Sequence, residues 1–251
     1  MQTSSSAAEA ERDAARGRLA RKLETFAPLD EEERQALDHV CRNAREMEAR
    51  RNIIREGDRP DHVHLIVDGW AARYKLLPDG ARQIVAFLIP GDFCDVHVTI
   101  LGEIDHSIAT LTRAKVAFIR RDDIDALTER PRLAKALWWA TLVDEAVLRA
   151  WLVNIGRRDA FEAIGHLMCE MYCRMRNVGL VEGHSFDLPL TQEELADALG
   201  LTPVHVNRVL RRMRADEMIT LKGGSLTILD YNRLQDASGF NPNYLHIERR
   251  G

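Results

Sequence analysis

The sequence is poor in cysteine, with Cys41, Cys94, Cys169 and Cys173 the four among 251 residues. Their spacing fits neither a disulfide framework nor a zinc knuckle, which excludes a fold stapled by either. A secretory pattern is missing, since the first 25 residues are rich in Ser, Ala, Arg and Glu and carry no apolar segment. There is no uninterrupted hydrophobic run. The most apolar region, Leu133 to Val153, contains Lys135, Asp144, Glu145 and Arg149, which a membrane span does not accommodate. A cytoplasmic location is expected. Signatures of catalysis are also lacking: no Walker loop, no Gly-x-Ser-x-Gly, no His-Glu-x-x-His and no carboxylate pair at catalytic spacing. No enzyme class is indicated. Nor is positive charge in excess, because the formal net charge is −4. That argues against an unspecific nucleic-acid coat while leaving room for a local basic surface.

What is present centres on Thr191 to Leu229. Thr191 and Glu194 form a capping box in which each can satisfy the other's backbone amide. The helix that follows buries Leu195, Ala196 and Leu199, and Gly200 permits a tight turn. Thr202 as a hydroxyl N-cap and Pro203 at the first helical position begin a second helix. Its Val206, Val209, Leu210 and Met213 share one face, while Val204, Asn207, Arg208 and Arg211 share the other. Two short apolar runs, Ile219 to Leu221 and Leu226 to Leu229, are joined by Lys222-Gly223-Gly224-Ser225 and read as a β-hairpin. The whole is the pattern of a DNA-reading winged helix-turn-helix. Between Leu199 and Gly223 there are five basic residues against two acidic ones, so the field is positive where contact is expected.

Taken in order, residues 1–17 read as a flexible N-terminal arm. Two short helices follow between Arg18 and Ala44, broken at Pro28, with Asp30 able to cap the second. From about Arg50 to Arg121, Gly57, Gly69, Gly80, Gly91 and Gly102 recur every 11 or 12 residues between β-rich runs. Regular short strands punctuated in this way indicate an all-β sandwich or jelly roll. Pro131 starts a long helix to about Ile155. On it Leu133, Leu137, Ala140, Val147 and Trp151 form a seam, while Trp138, Leu142 and Leu148 face elsewhere. A helix apolar on several sides needs several partners. The β domain is one, and a second copy of the chain, docked on the seam, is expected to be the other. The expected fold is α+β. It comprises an N-terminal all-β domain over 18–128, a long dimerisation helix over 129–157, the winged helix-turn-helix over 158–235, and a C-terminal tail over 236–251.

The run from Gly69-Trp70 to Pro90-Gly91-Asp92-Phe93, the long helix and the winged helix, in that order, resemble the CRP/FNR family of bacterial transcription regulators. The likeness covers about residues 18–235. It implies a cyclic-nucleotide-binding-like β-roll, a homodimer, a two-fold operator of double-stranded DNA, and RNA polymerase as a candidate partner. Departures from the family pattern shape the expected mechanism. Members that bind cyclic AMP carry a Gly-Glu pair after the Pro-Gly-Asp-Phe turn and an Arg-Ser or Arg-Thr further on. Here those positions read Asp95-Val96 and His106-Ser107, a degenerate ligand pocket. Valine cannot accept a hydrogen bond from a ribose, and a neutral histidine replaces a permanent planar cation. Cyclic AMP is therefore not expected to bind in the usual way. The family's oxygen sensor holds an iron–sulfur cluster on cysteines mostly near its N-terminus, where this chain has Cys41 alone. No cofactor is assigned. His62, His64, His97 and His106 leave open the alternative of a ligand- or haem-sensing β-roll whose main role is signal binding.

For DNA reading, Arg208 has the donor geometry for guanine O6 and N7. Asn207 can pair with adenine or a phosphate, and His205 lies near the helix start. By the resemblance, Val204 stands where relatives carry a glutamate that accepts from cytosine, and Pro203 replaces a basic reader. Thr202, Arg211, Arg212 and Lys222 are candidate phosphate contacts. The effector, the operator sequence and the direction of regulation are not encoded in these patterns.

Overall fold

The computed structural model describes residues 17–96 and 98–247. The expected arm, apart from Gly17, lies outside the described residues, as do His97 and the last four residues of the expected tail. The chain divides into two compact units. The first holds the residues up to Arg73 with Phe87–Thr141, and the second holds Tyr74–Ala86 with Leu142 onward.

In the first unit a helix over 17–24 (α1) precedes α2, Glu31–Cys41. Asp30 caps α2 as expected: its carboxylate accepts from the Glu33 amide at 2.9 Å, and Glu33 accepts from the Asp30 amide. The strands are β1 (Ala44–Met47), β2 (Asn52–Ile54), β3 (His62–Asp68), β4 (Ala71–Leu76), β5 (Arg82–Leu88), β6 (Ser107–Thr110) and β7 (Ala114–Arg120), with a short helix α3 at Val98–Leu101; the β4–β5 stretch Tyr74–Ala86 is counted with the second unit. They form two sheets, ordered β1-β7-β3 and β2-β6-β4-β5. The antiparallel β3–β7 register pairs His62 with Arg120 and Leu65 with Ala117. The five regularly spaced glycines all adopt φ between 78° and 94°, the left-handed turns that their spacing anticipates. At Gly69 a Cβ would also lie 2.5 Å from the Arg113 carbonyl oxygen.

One core fills this unit. Leu19 and Leu23 of α1, Leu37 and Val40 of α2, Leu65, Ile66, Val116 and Ile119 of the strands, and Ile124 and Leu127 of α4 (Arg121–Thr128) all belong to it. The Pro-Gly-Asp-Phe turn is bound into the same core. Asp92 accepts from the Ile89 amide at 2.9 Å and holds the Lys22 ammonium at 2.7 Å, so α1 fastens the turn.

Helix α5 runs from Pro131 to Gly156 and corrects the expected dimer seam. Leu133, Leu137 and Ala140 are buried in the first unit's core. Val147 and Trp151 are buried too, and the Trp151 indole donates to the Glu170 carboxylate at 3.1 Å. A second subunit cannot reach residues already covered by their own chain. The helix has two apolar faces, and periodicity alone does not say which one the chain keeps for itself. The face left open bears Trp138, Leu142, Leu148, Leu152 and Ile155, with Trp138 69% and Leu152 71% exposed. No helix among the described residues is long and apolar enough to cross a membrane.

In the second unit α6, Ala160–Asn177, starts on a capping box between Asp159 and Glu162. Glu170 is fully buried on it, and burial raises its carboxyl above the usual range. It is nonetheless well supplied with partners: Trp151, Arg174 at 3.1 Å and the Tyr244 hydroxyl at 2.8 Å. The last of these draws part of the expected tail onto α6. Helix α9 runs from Tyr231 to Ser238, Pro242–Leu245 form a 3-10 turn, and Phe240 and Leu245 are buried. Apolar residues in so short a segment have a place to go on α6, where the Phe240 ring meets His166 edge-on at 5.0 Å. His166 is held down to about 4, chiefly by burial and then by the Arg158 charge. All four cysteines are buried. Burial pushes the Cys169 thiol up to about 12 and raises Cys173 as well, so neither is a ready thiolate.

Candidate nucleic-acid interface

Helices α7, Gln192–Leu199, and α8, Pro203–Ala215, form the helix-turn-helix where the sequence places it. Thr191 Oγ1 accepts from the Glu194 amide at 3.1 Å, and Glu194 Oε2 accepts from the Thr191 amide at 2.7 Å. Gly200 closes α7 in the left-handed conformation, φ 65° and ψ 33°, which a side chain would strain. Thr202 caps α8 by accepting from the His205 amide at 3.2 Å. Its hydroxyl proton remains available to a phosphate. The wing consists of β9 (Ile219–Lys222) and β10 (Ser225–Ile228), with Gly223 and Gly224 both at positive φ, as a two-residue hairpin turn requires. A third strand that the sequence reading missed, β8 (Ser185–Asp187), extends this sheet beside β10. It is only three residues long and offers little period to detect.

Val206, Val209, Leu210 and Met213 anchor α8 in the core. This leaves Thr202, Pro203, Val204, Arg208 and Arg211 exposed along its outer side, with Val204 80% exposed. Arg208 and Arg211 make no ion pair or side-chain hydrogen bond with any described residue. Lys222 is exposed at the wing tip. His205 is half-buried. Asn207 departs from a lone reader: its Nδ2 donates to Gln192 Oε1 at 3.0 Å, so the first residue of α7 shares the edge. The contact lies between helices, which is why α8's own pattern did not reveal Gln192. Arg212 also departs from expectation. Its guanidinium lies 4.7 Å from the Phe161 ring centroid and 3.6 Å from Asp216, so intrachain partners already hold the group expected to meet a phosphate.

The degenerate pocket belongs to the first unit. Asp95 is completely buried, accepting from the His64 amide at 2.6 Å, with its other oxygen 2.7 Å from His64 Nδ1. His62 and His64 share a face of β3, and both rings stand edge-on to Phe118. Val96 is half-buried against the core. Ser107 Oγ accepts from the Glu56 amide at 3.1 Å. Burial holds His106 below the usual histidine range, against the pull of the Asp105 carboxylate 2.7 Å away. A neutral imidazole thus stands where the resemblance calls for an arginine. Arg73 of β4, unremarked in the sequence, spends its guanidinium on the carbonyls of Phe93 and Cys94 at 2.9 and 3.0 Å. Among the described residues no three or more His, Cys, Asp or Glu side chains cluster as a metal site would require.

Comparison with known proteins places both regions. Residues 148–237 match the Crp-like helix-turn-helix domain, and residues 44–130 match the cyclic nucleotide-binding domain. The chain is 31% identical over 218 residues to the transcriptional activator protein FnrL of Cereibacter sphaeroides, covering 85% of this chain and 87% of that one. It is 27% identical over 212 residues to the nitrogen fixation regulation protein FixK of Bradyrhizobium diazoefficiens, covering 82% and 86%. Among solved structures, FixK2 from Bradyrhizobium japonicum aligns with a TM-score of 0.69 at 25% identity, over 77% of this chain and 96% of that one.

Proposed function

The chain belongs to the CRP/FNR family of transcription regulators, and from that premise we propose that it acts as a symmetric dimer whose two α8 helices read a two-fold operator. The observation that carries this reading is the edge of α8 itself. Exposed Arg208 and Arg211, without partners among the described residues, stand beside a hydroxyl-capped helix start that suits phosphate contact. Arg208 takes a guanine, Asn207 with Gln192 behind it takes a neighbouring base or phosphate, and Val204 and Pro203 offer only apolar contact, suited to a thymine methyl. His205 borders this edge. Thr202, Arg211 and Lys222 hold the backbone, with Arg212 contributing less because of Phe161 and Asp216.

Dimerisation falls to the open face of α5. Trp138, Thr141, Glu145, Leu148, Leu152 and Ile155 follow one another at intervals of three and four residues, the rhythm of a coiled-coil seam. Within that stripe Glu145 is paired with Arg149 at 2.7 Å. The β-roll works without cyclic AMP, because Asp95 and Arg73 are committed within the chain, Val96 is apolar and His106 is neutral. RNA polymerase is the partner that a regulator of this kind contacts from the operator, and the cytoplasm is where both are met.

The test is a footprint. DNA enriched from a random pool by the full-length protein should show two protected half-sites centred about one turn, roughly 34 Å, apart. Protection of a single site, or no enrichment, would sink the proposal.

A further inference from the structure

Helix α7 lacks what its C-terminal end needs. Its last turn contains no basic residue, although the carbonyls there carry the negative end of the helix dipole. The Ala196 carbonyl is satisfied by the amides of Gly200 and Leu201 as the chain turns toward α8. Those of the remaining last-turn residues have no partner inside the helix. The missing groups come from a segment more than a hundred residues away in sequence. The β4–β5 hairpin tip, Tyr74–Ala86, belongs to the same compact unit as the winged helix. Arg82 Nε donates to Asp197 Oδ2 at 2.7 Å, with the two side chains only 32% and 23% exposed. The neighbouring Gln83 Nε2 donates to the Ala198 carbonyl at 3.3 Å. Tyr74 closes the group, its ring centroid 6.0 Å from the Arg82 guanidinium.

We infer that Arg82 and Gln83 are positioning residues for DNA recognition: they cap α7 in place of residues it does not have, and so set the turn from which α8 is presented. The effect reaches the reading edge by two routes. One is the Gly200 turn, a single left-handed residue after the capped end. The other is the hydrogen bond from Asn207 to Gln192 at the opposite end of α7.

This inference rests on α8 being the DNA reader, and the experiment separates the two. Full-length wild type, Arg82→Ala, Arg82→Lys, Asp197→Asn, the Arg82→Ala/Asp197→Asn double variant and Arg208→Ala are titrated against the DNA enriched by wild type and against unrelated DNA. Thermal unfolding is followed in parallel. Arg82→Ala should weaken specific binding about three- to tenfold, the range of a partly exposed ion pair with a helix-end contribution. Its affinity for unrelated DNA should stay within about twofold, since Arg82 releases no counterions from phosphate itself. Arg82→Lys should recover most of the loss, and the double variant should be no weaker than Arg82→Ala alone. Unchanged specific binding by Arg82→Ala, additive losses in the double variant, or an equal loss on unrelated DNA would each overturn the assignment. If Arg208→Ala also binds like wild type, the reading of α8 fails first and this inference with it.

Discussion

Arg208 and Arg73 show how differently the two ends of this chain have been treated. On α8, Arg208 is held at its root by a packed helix face and has no ion-pair or side-chain hydrogen-bond partner among the described residues, so its guanidinium is available to a base. On β4, Arg73 is spent on the Phe93 and Cys94 carbonyls, in the turn where cyclic-AMP-binding relatives begin their ligand contacts. Asp95 repeats the lesson, closed onto His64 through both its oxygens. A recognition surface needs polar groups that are positioned but unsatisfied, whereas a buried polar group must be satisfied from within. The helix-turn-helix meets the first condition. The old pocket meets the second, which is why one region is assigned a ligand and the other is not.

The largest effect is expected at the proposed dimer face of α5. Leu148→Glu with Leu152→Glu should leave a monomer in sedimentation and weaken operator binding by about a hundredfold or more, because the second half-site ceases to be an intramolecular event. Leu137→Ala, on the buried face of the same helix, should instead cost stability, about 2–5 kcal/mol, with the dimer intact. Next in size is a pH effect on the helix that supports the reader. His166 is depressed from 6.5 to about 4 in the fold, so the unfolded chain takes up the proton first. Its contribution to stability is complete above about pH 6.5 and is lost as pH falls toward 4, on the order of 3 kcal/mol in all. Denaturant unfolding of wild type against His166→Gln across that window measures it, and parallel curves would contradict it. Asp95→Ala sharpens the comparison from the pocket side: a loss of about 1–3 kcal/mol from the orphaned His64 groups, with the DNA preference unchanged. The smallest effect belongs to Lys222→Ala, which should weaken all sequences alike and reduce the slope of log affinity against log salt by about 1.

Much of this was legible in the residues. The cap at Asp30, the capping box at Thr191, the turn at Gly200, the glycine series and the Gly-Gly wing are local signals whose cause and consequence lie within a few residues, and each stands where it was expected. What escaped is what depends on contact between distant segments. The seam of Leu133, Leu137, Ala140, Val147 and Trp151 is apolar at helical spacing, but only packing reveals that the chain's own core and α6 cover it. Gln192 behind Asn207, Asp95 under His64 and Arg82 on Asp197 join elements whose separation in sequence hides them. The covering of α6 by Phe240 and Tyr244 was lost in the same way, because two aromatic residues make no period.

The account stands on Arg208 reading a base. Enrichment of operator sequences from one random pool, run side by side with wild type and Arg208→Ala, tests this directly. Wild type should select two symmetric half-sites, each with a guanine held invariant. Arg208→Ala should select the same half-site frame with that position relaxed, at a cost of about 1–3 kcal/mol on the wild-type operator. An identical preference from both proteins, with affinity lowered equally on every sequence, would show that Arg208 only touches phosphate and would contradict the account.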